Sequence, residues 1–237
     1  MLFCTLQLTK ARLFRIHNNL GDRIFVGILG NAGKLTPDNG GFELDSQQER
    51  DVEVQDDWAG RFWARTGCDD SGNCQTGDCN GQVECGGIGG TPPATLVEIT
   101  LRGDNNQDFY DISLVDGFNV KASITPADQQ GSGYHCTTAD CSNDLNPNCP
   151  GDLQVTSGDG ISGCKSSCVV ASSNNDPNKD IYCCTGQNDK PDTGCTGGES
   201  ATYFQDNCPN AYSFAYNDGS STFTCDTGDY PYDITFG

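Results

Sequence analysis

Residues Cys68 to Cys85 read CDDSGNCQTGDCNGQVEC. Four cysteines fall in eighteen residues as two pairs, each six apart, with Gln75-Thr76-Gly77-Asp78 between them. No apolar run in this stretch can hold a fold together. Such a loop needs covalent staples, and staples persist only in an oxidising compartment. The same reading extends to the whole chain of 237 residues, which carries 15 cysteines, 30 glycines and a single methionine. Apolar residues make up 35%, a modest core for the length, so cross-links are expected to supply part of the stability. In the chain-entropy model a disulfide closing a loop of ~15 residues contributes about 3 kcal/mol.

An odd cysteine count leaves one without an internal mate. Cys4 is the natural candidate, because the other fourteen fall between Cys68 and Cys225. Zinc is the alternative use of cysteine. It is disfavoured by only two histidines and by a lone Cys-x3-Cys unit, Cys164 and Cys168, with no matching partner unit. No metal and no cofactor are expected. Residues 1–11 read as the remnant of a leader, and secretion to the extracellular space is expected from the cysteines. No stretch is long and apolar enough to span a membrane. The net charge of −20 repels nucleic acid phosphates and anionic membranes. A neutral or cationic partner is favoured, and a monomer is expected.

Alternating apolar and polar residues predict strands at 13–17, 23–29, 50–55, 61–66, 95–101, 109–115, 118–125, 221–225 and 232–236. Asp116-Gly117 predicts a two-residue hairpin between two of these. Residues near 163–171 and 200–207 read as short helices. Strand-rich and cysteine-rich parts interleave. The expected architecture is mainly β: a sandwich core from 12–66, 95–142 and 209–237, a small disulfide loop domain at 67–94, and a disulfide-rich domain with short helices at 143–208. The last thirty residues are too few to form a core alone, which disfavours a linear string of domains.

Seven ordered segments resemble the thaumatin-like proteins, the group of thaumatin, osmotin and zeamatin. They are Gly60–Cys68 (GRFWARTGC), Gln75–Cys79 (QTGDC), Pro92–Leu101 (PPATLVEITL), Asp108–Asn119 (DFYDISLVDGFN), Tyr182–Gly186 (YCCTG), Cys208–Tyr216 (CPNAYSFAY) and Ser220–Cys225 (SSTFTC). The resemblance implies a flattened β-sandwich. It also implies the pairs Cys68–Cys74, Cys79–Cys85, Cys136–Cys225, Cys141–Cys208, Cys149–Cys164, Cys168–Cys183 and Cys184–Cys195, a connectivity that sequence spacing alone leaves open. An eighth disulfide of the family has no counterpart, since Leu20 stands at the first position and the chain reads Ile234-Thr235-Phe236-Gly237 at the second. Fraying of the sandwich ends is therefore expected.

The family's acidic cleft maps onto Arg61, Glu98, Asp111, Asp116 and Asp218. The residue before the last is Asn217, where many relatives carry a further aspartate. Read from the residues themselves, Glu98 lies opposite Val97 and Ile99 on its strand and is not forced into the apolar layer. Its bland alternative is a solvent-facing strand residue. Asp111 sits within an apolar strand, where an acid is costly unless paired or in a cleft. Asp116 differs from Asp111 in parity and converges with it only from a turn. Turn formation is also the bland role of Asp116 and Asp218. Arg61 is the candidate cation, with Arg65 on the same face as a structural rival. Trp63, Phe109, Tyr110 and Phe118 are candidates to stack on sugar rings, though such rings more often fill a core.

Clustered carboxylates suit glycoside cleavage, because one must hold a proton for the leaving oxygen while another stays ionised. Glu98 is the candidate donor and an aspartate the candidate base, with Asp111, Asp116 and Asp218 as the set. The expected partner is neutral β-1,3-glucan of fungal walls, bound with or without weak endo-β-1,3-glucanase action. The alternative is a non-enzymatic antifungal or interaction protein acting on membranes or inhibiting a foreign hydrolase. His17 and His135 are isolated, and Gly86 to Gly90 follows no strand-to-helix pattern, so neither a nucleophile triad nor a phosphate loop is supported.

Overall fold

A computed structural model describes residues 11–158 and 160–237. Cys4 and residues 1–10 of the expected leader remnant (1–11) lie outside the described residues. Ala11, the last residue of that expected segment, is described: it pairs with Gln55 as the first residue of a strand.

The strands are β1 (Ala11–Asn18), β2 (Ile24–Gly30), β3 (Gly41–Leu44), β4 (Glu49–Gln55), β5 (Ala59–Arg65), β6 (Leu96–Thr100), β7 (Gln107–Ser113), β8 (Ala122–Pro126), β9 (Ala139–Cys141), β10 (Gln154–Ser157), β11 (Gly160–Cys164), β12 (Phe223–Asp226) and β13 (Tyr232–Phe236). Two sheets face each other. One has the order β4-β1-β13-β8-β9 and the other β12-β7-β6-β5-β2-β3. The first strand lies parallel to the last, with Phe14 beside Tyr232 and Ile16 beside Ile234. Period-two alternation decides the inner faces. Phe14, Phe62, Tyr110 and Tyr232 are all fully buried. Phe14 stands 5.1 Å from Phe62 and 5.6 Å from Tyr232, and Tyr110 is 5.5 Å from Tyr232.

A buried ion pair crosses this layer. Arg12 of β1 donates to Asp108 of β7 at 2.8 Å, with both side chains almost wholly removed from solvent. The Asp108 carboxylate also accepts from Tyr232 Oη at 3.0 Å, Thr227 Oγ1 at 2.7 Å and the Arg102 backbone N–H at 3.0 Å. Four donors satisfy a carboxylate that would otherwise be prohibitively costly to bury.

The two cysteine-rich excursions lie outside the sandwich. Residues 67–94 hold no helix or strand and are stapled by Cys68–Cys74 and Cys79–Cys85. They close over the outer face of β5 and β6, where Trp63, Cys79, Cys85, Ala94 and Leu96 form a second, small core. The other excursion holds β10, β11 and the helices α1 (Ser167–Ser173), α2 (Lys179–Cys183) and α3 (Gly198–Asn207). It carries Cys149–Cys164, Cys168–Cys183 and Cys184–Cys195 and joins β9 through Cys141–Cys208. Cys136–Cys225 spans 89 residues and ties the chain after β8 to β12. A last helical turn, α4 (Asp218–Ser221), precedes β12. Among the described residues no helix is long and apolar enough to cross a membrane.

Several local expectations are corrected. Asp116-Gly117 does not join a hairpin, because β7 and β8 belong to different sheets. Residues 114–117 close a turn through Gly117 N–H to Leu114 O at 2.8 Å, and Phe118 then pairs with Cys164 instead of starting a strand. Gly117 is needed at this corner: its φ is +95°, and a Cβ there would meet Cys164 O at 2.6 Å. Asn119 seals the crossing. Its amide donates to Ala64 O and Thr76 Oγ1, both at 2.8 Å, and its oxygen accepts from Thr95 N–H at 3.0 Å. The first expected helix begins only at Ser167, because Gly163 and Cys164 end β11 and Ser166 caps the helix by accepting from Val169 N–H. Residues 209–222 are largely not strand. At the sandwich end, Asn19 N–H donates to Phe236 O at 2.8 Å and Gly237 N–H to Lys121 O at 3.0 Å. Pairing of β1 with β13 joins the terminal strands there, without sulfur.

Replacing Asp108 with Ala removes the hydrogen-bonded partner of the Arg12 guanidinium, which keeps Asp56 Oδ1 at 3.8 Å, and is expected to cost about 3–5 kcal/mol in urea unfolding of the oxidised protein. The double replacement Arg12→Met with Asp108→Leu is expected to recover much of that loss. A loss under ~1 kcal/mol for Asp108→Ala would contradict the assigned role.

Candidate functional site

The site is built on one rung of the six-stranded sheet. Arg61 of β5 lies directly opposite Glu98 of β6, and Glu98 directly opposite Asp111 of β7. All three point outward, because Phe62, Val97, Ile99, Tyr110 and Ile112 occupy the inner positions. Directly opposed residues of neighbouring strands hold their Cβ atoms about 4.5–5.5 Å apart, and like charges there are destabilising. Arg61 relieves one side of the rung, with its Nη1 at 4.0 Å from Glu98 Oε1.

Asp116 reaches the rung from the turn after β7, where strand parity no longer applies. Asp218 arrives from the first residue of α4. Together with Arg61, Glu98 and Asp111 they line a cavity of about 380 Å³, which Leu96, Ser113, Val115, Tyr212 and Ala215 complete. All five side chains named from the sequence therefore border one cleft. A smaller hollow of about 230 Å³ shares Glu98 and Asp111 with it.

Tyr212 is the residue that sequence reasoning missed. Its backbone prolongs the sheet beside β7: Tyr212 N–H donates to Ile112 O, and Leu114 N–H donates to Tyr212 O, both at 2.8 Å. Its hydroxyl donates to Asp218 Oδ1 at 2.7 Å and meets Thr222 Oγ1. Tyr212 lies in the family-like segment Cys208–Tyr216, but that segment has no periodicity from which to read a side-chain direction.

The other candidates separate cleanly. Arg65 is fully buried, donates to the carbonyls of Val83 and Gln82, and is pushed down to about 10 by burial. It holds the loop domain and takes no part in the cleft. Asn217 turns its amide to Gln205 Oε1 and Ser213 Oγ. Trp63, Tyr110 and Phe118 are core residues with no exposed surface. Trp63 donates its indole N–H to Gly77 O at 2.8 Å. Phe109 alone of the four aromatic candidates is half-buried, at the edge of the smaller hollow.

The electrostatics follow from this geometry. Burial raises the proton affinity of Asp111 well above the ordinary carboxyl range, and the negative charges of Glu98 and Asp218 add to it. Asp111 Oδ1 has no hydrogen-bond partner among the described residues. Glu98 keeps 38% of its side-chain surface open and is also raised by burial, with Arg61 opposing and Asp116 adding. Asp116 is raised by burial against the pull of Arg61. Burial and the bond to Asp218 push the Tyr212 hydroxyl upward as well. Opposed carboxyls with raised values, set in a cleft with one cation, are the arrangement that acid–base chemistry needs. Among the described residues no group of His, Cys, Asp and Glu is placed to hold a metal ion.

These raised values make folding take up protons. Each such carboxyl contributes fully to stability below its unfolded value, and the contribution is lost as pH rises through the higher folded value. Asp111→Asn removes the penalty. Its thermal midpoint is expected to exceed that of the wild type at about pH 7, and the advantage is expected to vanish near about pH 3, where the carboxyl is protonated in both states. Equal midpoints for the two proteins at about pH 7 would contradict the assigned electrostatics.

Comparison with known proteins agrees with this architecture. The family model described as the thaumatin family matches residues 18–237. The chain is 46% identical over 227 residues to pathogenesis-related protein 5 of Arabidopsis thaliana, covering 94% of this chain and 89% of the relative. It is 43% identical over 232 residues to a protein of Prunus avium named glucan endo-1,3-beta-glucosidase, covering 95% and 90%. A laminaripentaose-producing β-1,3-glucanase of glycoside hydrolase family 64 from Paenibacillus barengoltzii, solved in complex with laminarihexaose, shares the fold. Its TM-score is 0.58 at 12% identity, covering 96% of this chain and 75% of that one. On the extent of the family match and the level of identity to these relatives, the chain belongs to the thaumatin family.

Proposed function

We propose that this chain is an extracellular defence protein that binds β-1,3-glucan in the cleft around Arg61, Glu98, Asp111, Asp116 and Asp218, and cleaves it weakly. One observation carries the reading: Glu98 and Asp111 stand opposed on neighbouring strands inside a cavity of about 380 Å³, with Arg61 beside one of them. An acidic cleft of this kind suits a neutral polyol. Ionised carboxylates accept from sugar hydroxyls, and the guanidinium donates to sugar oxygens. The Prunus avium relative's name and the oligosaccharide in the Paenibacillus complex support the substrate class. The stapled loops suit life outside the cell.

The reading also divides the labour. Asp111 has carboxylates for neighbours and an unpartnered oxygen, so it is the group that holds the proton and gives it to the leaving oxygen. Glu98 faces Arg61, ionises first of the pair, and serves as base or nucleophile. This reverses the assignment expected from sequence, in which the glutamate is the donor. The reason is the position of the cation, which register places beside Glu98 and one strand further from Asp111.

Reducing-sugar release from laminarin is expected to fall at least ~100-fold in Glu98→Gln and in Asp111→Asn, a loss in the range of a missing acid–base group. Co-sedimentation with insoluble β-1,3-glucan is expected to weaken in Glu98→Gln, which loses a charged acceptor. Cleavage is expected to decline as pH rises from the acid side, because the donor must stay protonated. Equal binding and equal sugar release by wild type and both variants would overturn the reading.

A further inference from the structure

The carboxylate rung lies in the middle of a longer furrow. Two residues along the strands in one direction, Leu96 faces Ser113 in the main cavity. Two residues in the other direction, Thr100 faces Phe109, and both line the smaller hollow of about 230 Å³ together with Asn31 and Gly60. The parity is unbroken, so these pairs share the outer face with Glu98 and Asp111. Phe109 to Ser113 spans about 13 Å at the rise of an extended strand.

The smaller hollow has the furnishings of a ligand subsite. The Phe109 ring rests against Gly103, where a Cβ would approach Cδ2 to 2.8 Å, so that edge is packed and the ring is held in place. Asn31 and Thr100 are exposed, and their side chains make no hydrogen bond among the described residues. An apolar ring flanked by a free amide and a free hydroxyl matches a pyranose, which offers an apolar face and a rim of hydroxyls. The hollow shares its wall with the carboxylates, so one ligand can occupy both spaces.

Resting on the glucan reading above, we propose that Phe109, Asn31 and Thr100 form a second saccharide subsite on the far side of the carboxylates from Tyr212. The cleft then grips an internal segment of a β-1,3-glucan chain, with sugar units on both sides of Glu98 and Asp111. Phe109 is the specificity-determining residue of the new subsite and rewards ligand length.

The test is calorimetric titration of the oxidised protein with laminarihexaose and laminaritriose. Phe109→Ala is expected to weaken hexasaccharide binding about tenfold or more and to shrink the hexasaccharide's advantage over the trisaccharide. Asn31→Ala and Thr100→Ala are expected to weaken it several-fold. Hexasaccharide binding within about twofold of wild type in Phe109→Ala would overturn the subsite and leave the carboxylate cleft standing. Should Phe109→Ala unfold, the side-chain amide resonance of Asn31 in the wild type decides. A shift on adding laminarihexaose supports the subsite. Silence there, while resonances around Glu98 move, overturns it. Wild-type protein that binds no laminarihexaose would bring down the glucan reading itself, and the subsite with it.

Discussion

The contact between Arg12 and Asp108 is the constraint on which the rest depends. It joins β1 of one sheet to β7, the strand next to the edge of the other, inside an aromatic layer that admits no water-exposed alternative. Asp108 and Asp111 stand on the same strand three residues apart, so odd parity sends one carboxylate inward and the other outward. Anchoring Asp108 to Arg12, Tyr232 and Thr227 therefore aims Asp111 at the outer face. The register of β12 reinforces the anchor. Cys225 pairs with Asp108, and the disulfide to Cys136 ties that rung to a distant part of the chain.

Around this frame, the excursions decide which part of the outer face stays open. The loop domain covers Trp63 and Leu96 and is held by the Arg65 guanidinium on its carbonyls. The turn at Asp116-Gly117, pressed against Cys164, sets the boundary with the disulfide-rich domain. What remains uncovered is the rung Arg61, Glu98, Asp111 and its flanks. Opposed carboxylates there work against stability, and two staples in the loop domain with four in the disulfide-rich part offset the cost. Local destabilisation concentrated in one cleft is the usual mark of a site under functional demand.

Strand parity makes much of the site legible in the amino-acid sequence. Glu98 between Val97 and Ile99, and Asp111 between Tyr110 and Ile112, are placed outward by alternation alone. The convergence of Asp116 is conditional on a turn, and the turn is present. That turn is not the expected hairpin, because an Asp-Gly dipeptide announces a reversal without saying which sheet receives the next strand. Short elements escape notice for a related reason. β3, β9 and α4 run to four residues or fewer, too short for a period to show. Tyr212 is hidden by irregular backbone, and the structural role of Asn217 by a partner, Gln205, on a separate helix. The proposed division between donor and base is out of reach as well, since it depends on which of two neighbouring acids stands next to Arg61.

Carbon-13 NMR titration of the side-chain carboxyl groups of Glu98 and Asp111 tests the central claim most directly, because it reads the protonation of both groups without any ligand. The account predicts that Asp111 titrates well above the ordinary carboxyl range, and that the Glu98 signal responds to that same step as well as to its own. Two independent, single-step curves within the ordinary range would show that the opposed carboxyls do not interact, and would contradict it.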